Sequence, residues 1–328
     1  MAVCYDRWRK TNKKLDFWEF WLILIIDKVD EFALLQENLG NGVLRAITLA
    51  PFTSFRIGGQ AKYLFKAKTP GQLTAAYNVA NTNNIRYFIL GGGSNIVIDD
   101  EGFAGLIVKD ECRQVSLDGS YLSAQSGVPY DHLVDVATAN GLSGLEFAAG
   151  IPGTVAGALW GNAGAWGKSI ADILESAVLV AKDGQIRITE REFFQFDYRH
   201  SRLKSDPYLI LTVKLKLAYG EKNAIADKVN EYRQLRRTKH PTWEGSAGSV
   251  FKNIKEPVLI PAGKLLEEAG LKGAKIGGAE IYEKHCNIIV NKGQATASDV
   301  RKLAQLMQEK VQSKFDRRLD YEISFVGP

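Results

Sequence analysis

Tyr87-Phe88-Ile89-Leu90-Gly91-Gly92-Gly93-Ser94-Asn95 runs from a short apolar strand straight into a glycine loop, and two more β-rich runs, Ile96-Val97-Ile98 and Leu106-Ile107-Val108, follow. Glycine lets backbone N–H groups converge on an anion without a Cβ in the way, so the loop reads as a phosphate cradle. It is not the dinucleotide fingerprint. G-x-G-x-x-G counted from Gly91 requires glycine where Ile96 stands, and a helix where a strand is expected. Upstream, Thr69-Pro70-Gly71-Gln72 supplies a cap, a first-turn proline and a capping-box partner for a helix with Leu73, Ala76, Tyr77 and Ala80 on one face.

Downstream, a helix over Tyr130 to Asn140 stops at Gly141 and opens the densest glycine stretch, residues 141–157, which contains Gly150-Ile151-Pro152-Gly153-Thr154 and Gly157 and continues to Asn162-Ala163-Gly164-Ala165. Tight packing of helix on sheet accounts for any one of these glycines. Two glycine loops from separate parts of one α/β region, both with Ser, Thr or Asn donors, point to a large phosphorylated cofactor between them. Composition does not name that cofactor. Residues 162–169 end like a Walker A loop, but Asn162 stands where its first glycine belongs, so a P-loop hydrolase is disfavoured.

Further along, Val178-Leu179-Val180 and Ile186-Arg187-Ile188 flank Lys182-Asp183-Gly184 as a hairpin, and Leu211, Val213, Leu215 and Leu217 alternate with polar residues as a half-buried strand. Ala218 to Asn223 reads as a linker to a separate α+β unit. In that unit Val300, Leu303, Ala304, Met307, Val311 and Phe315 form a helical core stripe capped by Thr296 or Ser298.

The 328 residues are 45% hydrophobic and 24% charged, the make-up of a globular protein of two or three domains, which excludes disorder, collagen and coiled coil. A net charge of +5 is spread along the chain, so a nucleic-acid partner is not expected. Cys4, Cys112 and Cys286 are odd in number and far apart, which fits a reducing compartment and gives neither a disulfide framework nor a metal site. The basic residues Arg7 to Lys14 followed by Phe20 to Ile26 imitate a secretory signal but lack a cleavage site, so stable membrane insertion is not expected and residues 1 to about 30 are set aside.

There is no H-E-x-x-H motif, no Cys/His cluster and no G-x-S-x-G elbow. The four histidines are scattered. Arg199 in Tyr198-Arg199-His200-Ser201 follows the aromatics Phe193, Phe194 and Phe196, and a fixed guanidinium there suits a carboxylate or phosphate, with a shielded structural ion pair as the alternative. Gly248-Ser249-Val250-Phe251-Lys252-Asn253 sets a hydroxyl, an ammonium and an amide beside glycine, which in isolation is a turn. Glu322 alternates out of an apolar strand near the C-terminus, where a carboxylate is ordinarily solvated.

Together these strings resemble one family, the UDP-N-acetylenolpyruvoylglucosamine reductases, in collinear order over about residues 45 to 327. The shared strings include Thr53-Ser54-Phe55-Arg56-Ile57-Gly58-Gly59, Gly270-Leu271-Lys272-Gly273 and Gly277-Gly278-Ala279. The resemblance implies an α+β fold: a two-subdomain FAD domain of the vanillyl-alcohol-oxidase type at 45–218 and a substrate-binding domain at 224–328, after an atypical extension and lead-in helix at 1–44. It implies non-covalent FAD held by Arg56, Gly91, Gly92, Gly93, Ser94, Asn95, Gly150, Ile151, Pro152, Gly153, Thr154, Gly157, Asn162, Gly164 and Ala165. It also implies NADPH as co-substrate, UDP-N-acetylglucosamine enolpyruvate as substrate, a cytoplasmic monomer or weak homo-oligomer, and a role in cell-wall precursor synthesis.

In the implied chemistry NADPH reduces the flavin, and hydride then passes to the vinyl carbon of the substrate. Arg199 and Glu322 polarise the substrate carboxylate, and Ser249 protonates the neighbouring carbon. Glu322 serves there as a neutral acid, since an ionised carboxylate would repel the developing enolate. Tyr198, Arg236, Lys239, Lys252, Asn253 and His285 are implied as substrate contacts, with Lys252 or a water assisting Ser249. Ile254, Cys286 and Trp166 depart from the family pattern without removing an implied catalytic group, and the short spacing from Tyr198 to Ser249 matches a compact subtype. Two other readings remain, a different FAD oxidoreductase of the same fold and a non-catalytic flavin or nucleotide-sugar binder.

Overall fold

Gln60–Ala67 buries alternate residues and then three in succession, the pattern of a strand covered on both faces, and the first layer is built around it. The computed structural model describes residues 30–255 and 258–328. The first sheet contains β1 (Leu44–Thr48), β2 (Gln60–Ala67), β3 (Tyr87–Leu90) and β5 (Phe103–Asp110), in the order β1-β2-β5-β3. β1 runs antiparallel to β2, whereas β2, β5 and β3 are parallel. β4 (Ile96–Ile98) stands outside this sheet. Helices α1 (Glu31–Leu39) and α2 (Pro70–Thr82) cover the first layer, and Leu73, Ala76 and Tyr77 of α2 enter its core. Thr69 accepts the Gln72 N–H as expected of a cap, but the Gln72 side chain reaches back to the Lys68 N–H rather than to Thr69.

The second sheet contains β6 (Val115–Asp118), β7 (Tyr121–Gln125), β8 (Leu174–Val180), β9 (Ile186–Glu190) and β10 (Leu209–Lys216), antiparallel in the order β9-β8-β10-β7-β6. The hairpin expected around residues 182–184 joins β8 to β9. Helices α3 (Tyr130–Ala139) and α4 (Val155–Gly161) cover this sheet through Leu133, Val134, Val155 and Leu159, all fully buried. Truncating one such leucine to alanine costs about 2–5 kcal/mol.

The run expected as a linker is ordered. Ala218–Tyr219 pairs with Leu142–Ser143, and helix α5 (Lys222–Lys239) begins at once with Glu221 as its cap. Ile225 and Val229 of α5 are buried in the core of the second sheet, so the helix forms one wall above it. Beyond α5 lie α6 (Ala262–Glu268), β11 (Lys275–Ile276), β12 (Ala279–Ile281), β13 (Ile289–Asn291), α7 (Ala297–Phe315) and β14 (Ser324–Val326). Thr296 and Asp299 form a reciprocal capping box at α7, and Val300, Leu303, Ala304, Met307 and Val311 fill the core beneath it. β14 leaves this unit and pairs in parallel with β4, Ser324 opposite Ile96. Glu322 lies just before that strand rather than within it. No helix among the described residues is long and apolar enough to cross a membrane. The charged and apolar segment of residues 7–26, with Cys4, lies outside the described residues.

Candidate active site

The two glycine loops meet backbone to backbone. A Cβ on Gly92 would stand 2.6 Å from the Cα of Gly153, and one on Gly91 would stand 2.6 Å from Thr154 Oγ1. Gly93 has φ +62°, and Ser54 ties its carbonyl to the next loop, accepting at Gly93 from the Ser54 N–H at 3.0 Å while Ser54 Oγ donates to the Ser246 carbonyl at 2.6 Å. Among the described residues the N–H groups of Gly92, Gly93, Ser94 and Gly153 donate to no backbone carbonyl. The first N–H groups of α4 are already satisfied: Val155 donates to Val128, Ala156 to Ser126, and Gly157 to Thr154 Oγ1. Free anion donors therefore belong to the loops rather than to the helix end. Lys109 braces the first loop from below by donating to the Gly91 carbonyl, and burial, followed by repulsion from Arg113, lowers the pKa of its ammonium.

Above the loops a cavity of about 540 Å³ is lined by Gly91 to Asn95, Ile151 to Thr154, Gly157, Gly164, Arg199, Arg236, Ser249 and Glu322. The structure thus brings the three residues of the implied chemistry to one cleft with most of the glycine-loop residues. Arg199 Nε donates to Glu322 Oε1 at 2.6 Å, with the side chains 27% and 18% exposed, a charge-assisted contact sheltered from bulk water. Arg199 occupies the left-handed region at φ 53°, at the corner of a tight turn in which Asp197 and His200 exchange backbone hydrogen bonds. The aromatics upstream do not flank it. Phe193, Phe194 and Phe196 pack into the second core, and the guanidinium over Phe193 is that of Arg202.

Glu322 is held by its own backbone: its N–H donates to Val250 at 2.8 Å, and its carbonyl accepts from Asn95 Nδ2 at 3.0 Å. The side-chain amide of Asn95 thus ties the end of the glycine loop to the C-terminal segment. Ser249 follows Gly248, whose φ is +78°, and pairs with Ile288.

A second cavity, about 930 Å³, shares Ser94, Pro152, Arg236, His240 and Gly248 with the first, and Arg56 and Gly150 line it. Arg236 Nε is buried without a hydrogen-bond partner among the described residues, and burial, then repulsion from Arg199, lowers its pKa. Such a donor costs free energy until a ligand accepts from it. His240 lies beside it, pushed down to about 4 by burial and by Arg236, so its imidazole is neutral at physiological pH. Its ring centroid is 5.8 Å from that of His285.

Several expected site residues line neither cavity. Asn162 is buried as the left-handed cap of α4, donating to the Asp197 carbonyl at 2.8 Å, which makes it a brace of the Arg199 turn. Tyr198 accepts the Asn253 N–H, and Asn253 Oδ1 accepts from Ala262, which ties the turn to α6. His285 backs His240, and Ala165, Lys239 and Lys252 also lie outside both linings. Lys204, Trp160, His240 and Asp110 line the smaller cavity without having been singled out. None of the four stood in a quoted functional string; Lys204 lies three residues beyond Tyr198-Arg199-His200-Ser201.

A family model described as the C-terminal domain of UDP-N-acetylenolpyruvoylglucosamine reductase matches residues 240–326, and one described as an FAD binding domain matches residues 61–190. UDP-N-acetylenolpyruvoylglucosamine reductase of Clostridium tetani is 38% identical over 300 residues, 91% of this chain and 97% of that one. That of Caldicellulosiruptor bescii is 40% identical over 300 residues, covering 90% and 95%. The crystal structure of UDP-N-acetylenolpyruvylglucosamine reductase from Thermus caldophilus superposes with a TM-score of 0.74 at 33% identity, covering 86% of this chain and 98% of that chain.

Proposed function

The chain belongs to the UDP-N-acetylenolpyruvoylglucosamine reductase family and is an FAD-dependent oxidoreductase, and from that premise we propose that it reduces UDP-N-acetylglucosamine enolpyruvate to UDP-N-acetylmuramate at the expense of NADPH. The observation that carries the proposal is the convergence of Arg199, Ser249 and Glu322 on the cavity walled by both glycine loops. The residues suit the cofactor: backbone donors unused by the protein stand where the loops touch, and a Cβ at Gly92 would fill the space between them. Gly92, Gly93, Ser94 and Gly153 would hold its pyrophosphate. FAD supplies, when bound, the means of passing a hydride from the nicotinamide to the substrate.

The residues of the chain do the rest. Arg199 receives the substrate carboxylate and opposes the charge that develops on it when the vinyl carbon is reduced. In the structure that guanidinium is already engaged with Glu322, so the incoming carboxylate must share it. Ser249 delivers its hydroxyl proton to the neighbouring carbon, and Lys252 or a water restores it. The free donor of Arg236 offers a fixed hydrogen bond to the cofactor or substrate.

The test follows the visible flavin spectrum of the purified holoprotein under anaerobic conditions. NADPH should bleach it, and UDP-N-acetylglucosamine enolpyruvate should restore it with stoichiometric lactyl-ether product. Bleaching without recovery would discard the substrate.

A further inference from the structure

The Arg199 turn carries a strain that the three catalytic side chains do not relieve. A non-glycine residue held at positive φ is strained and persists only where its surroundings over-determine it. At Arg199 those surroundings can be named. Asn162 Nδ2 donates to the Asp197 carbonyl at 2.8 Å, Ser201 Oγ donates to the Trp160 carbonyl at 2.7 Å, and Lys204 Nζ donates to the carbonyl of Arg199 itself at 2.8 Å. Of the three, only Lys204 engages the strained residue, and it also lines the cleft.

We propose that Lys204 is a positioning residue for substrate reduction: its ammonium, seated over the Trp160 ring and bonded to the Arg199 carbonyl, holds the turn that aims the Arg199 guanidinium at Glu322. The inference rests on the function proposed above. Lys204 Nζ lies 4.5 Å from the Trp160 ring centroid, and the same tryptophan is tied through its carbonyl to Ser201, so platform and turn move as one body. The side chain leaves a short helical turn, Arg202–Lys204, anchored by Leu203 at 2% exposure. Its hydrogen-bond partner is a neutral carbonyl rather than a carboxylate, as it is for Lys109 at the Gly91 carbonyl.

The charged groups facing it are Lys252, Glu322 and Arg199, from three separate segments. Burial first, and then the two cations, lower its pKa. The proton on Lys204 is thus lost at lower pH than from a free lysine, and the neutral amine that remains is a weaker donor to the Arg199 carbonyl and has lost its attraction to the Trp160 ring.

The experiment uses the FAD-loaded enzyme and its Lys204→Met and Lys204→Arg variants in anaerobic stopped flow. It measures flavin reduction by NADPH and reoxidation by UDP-N-acetylglucosamine enolpyruvate separately. Lys204→Met should slow reoxidation at least about tenfold while changing flavin reduction by less than about threefold, the signature of a misplaced group that acts only in the second step. Lys204→Arg, which keeps a cation and a donor, should recover most of the loss. The wild-type rate of reoxidation should fall at high pH along a limb that Lys204→Met lacks.

Equal slowing of both half-reactions, loss of bound FAD from Lys204→Met, or an unchanged reoxidation rate would each overturn the inference. Failure of the wild type itself to reoxidise would instead overturn the proposed function, and the inference with it.

Discussion

Replacing Gly92 by alanine tests the cofactor cradle directly. The new methyl carbon would stand 2.6 Å from Gly153 Cα and 3.1 Å from Gly153 C, both backbone atoms. Carbon atoms pack at about 3.5–4.0 Å, so the loops must part by roughly 1 Å. Overpacking of this kind costs about 1–3 kcal/mol when the backbone has to shift. The same displacement spreads the N–H groups of Gly92, Gly93, Ser94 and Gly153, and each charge-assisted hydrogen bond lost to a phosphate is worth about 1.5–3 kcal/mol. One such bond corresponds to a Kd for FAD about 10- to 100-fold higher.

The assay is titration of apoprotein with FAD, followed by flavin fluorescence quenching, with thermal unfolding of the apoprotein alongside. Gly71→Ala is the control, because a Cβ there meets nothing nearer than Thr69 Oγ1 at 3.9 Å and the residue lines neither cavity. The expected result is weak FAD binding in Gly92→Ala and wild-type binding in Gly71→Ala. Gly92→Ala protein that binds FAD as tightly as the wild type would refute the idea that the contact of these two loops shapes the cofactor site.

Other outcomes follow from single groups. Ser249→Ala should abolish product formation while leaving NADPH-driven bleaching intact, and loss of both half-reactions would remove Ser249 from the proton-delivery role. The hydroxyl of Tyr130 is buried without a partner among the described residues. Tyr130→Phe should therefore raise apoprotein stability in urea by about 1 kcal/mol, the cost of an unsatisfied polar group. His240 is depressed from 6.5 to about 4, so its neutral form is the one the fold favours. The unfolded chain then binds the extra proton between these values: the contribution is full above pH 6.5, declines as pH falls toward 4, and is lost below it. His240→Gln should flatten that part of the stability profile measured by urea unfolding.

What was legible in the sequence was whatever the backbone itself enforced. The strand into Gly91-Gly92-Gly93 and the stretch through Gly153 could be read because only glycine lets two backbones approach so closely that a Cβ on one would stand 2.6 Å from the Cα of the other, and a run of glycine marks the place whatever surrounds it. The caps at Thr69 and Thr296 were legible for the same local reason. His240 and Trp160 carried no such mark, since their significance comes from facing the cleft, which only tertiary packing decides. The aromatics before Arg199 misled because their proximity in sequence is undone by the turn: Phe194 is fully buried in the second core while Arg199 faces the opposite way, into the cleft. The linker reading of Ala218 to Asn223 failed because its polar residues hide a two-residue bridge to Leu142–Ser143.

Glu322 shows how the fold converts order in sequence into a site. It lies 123 residues from Arg199, and nothing local to it distinguishes a functional carboxylate from a solvated one. Its position is set by the last strand. β14 pairs in parallel with β4 in the register Ser324 to Ile96, Phe325 to Val97 and Val326 to Ile98, so Glu322 falls beside the end of the glycine loop that precedes β4. Asn95 locks that register at the critical step by donating to the Glu322 carbonyl at 3.0 Å, while the Ser324 N–H donates to the Asn95 carbonyl at 2.9 Å. A slip of one residue would turn every side chain of the strand to its other face and carry the carboxylate away from Arg199. The C-terminal strand therefore builds the proposed site as well as the core: the contacts that seat Phe325 and Val326 are the ones that place Glu322 beside Arg199, and the side chain of Asn95 helps by holding that chain.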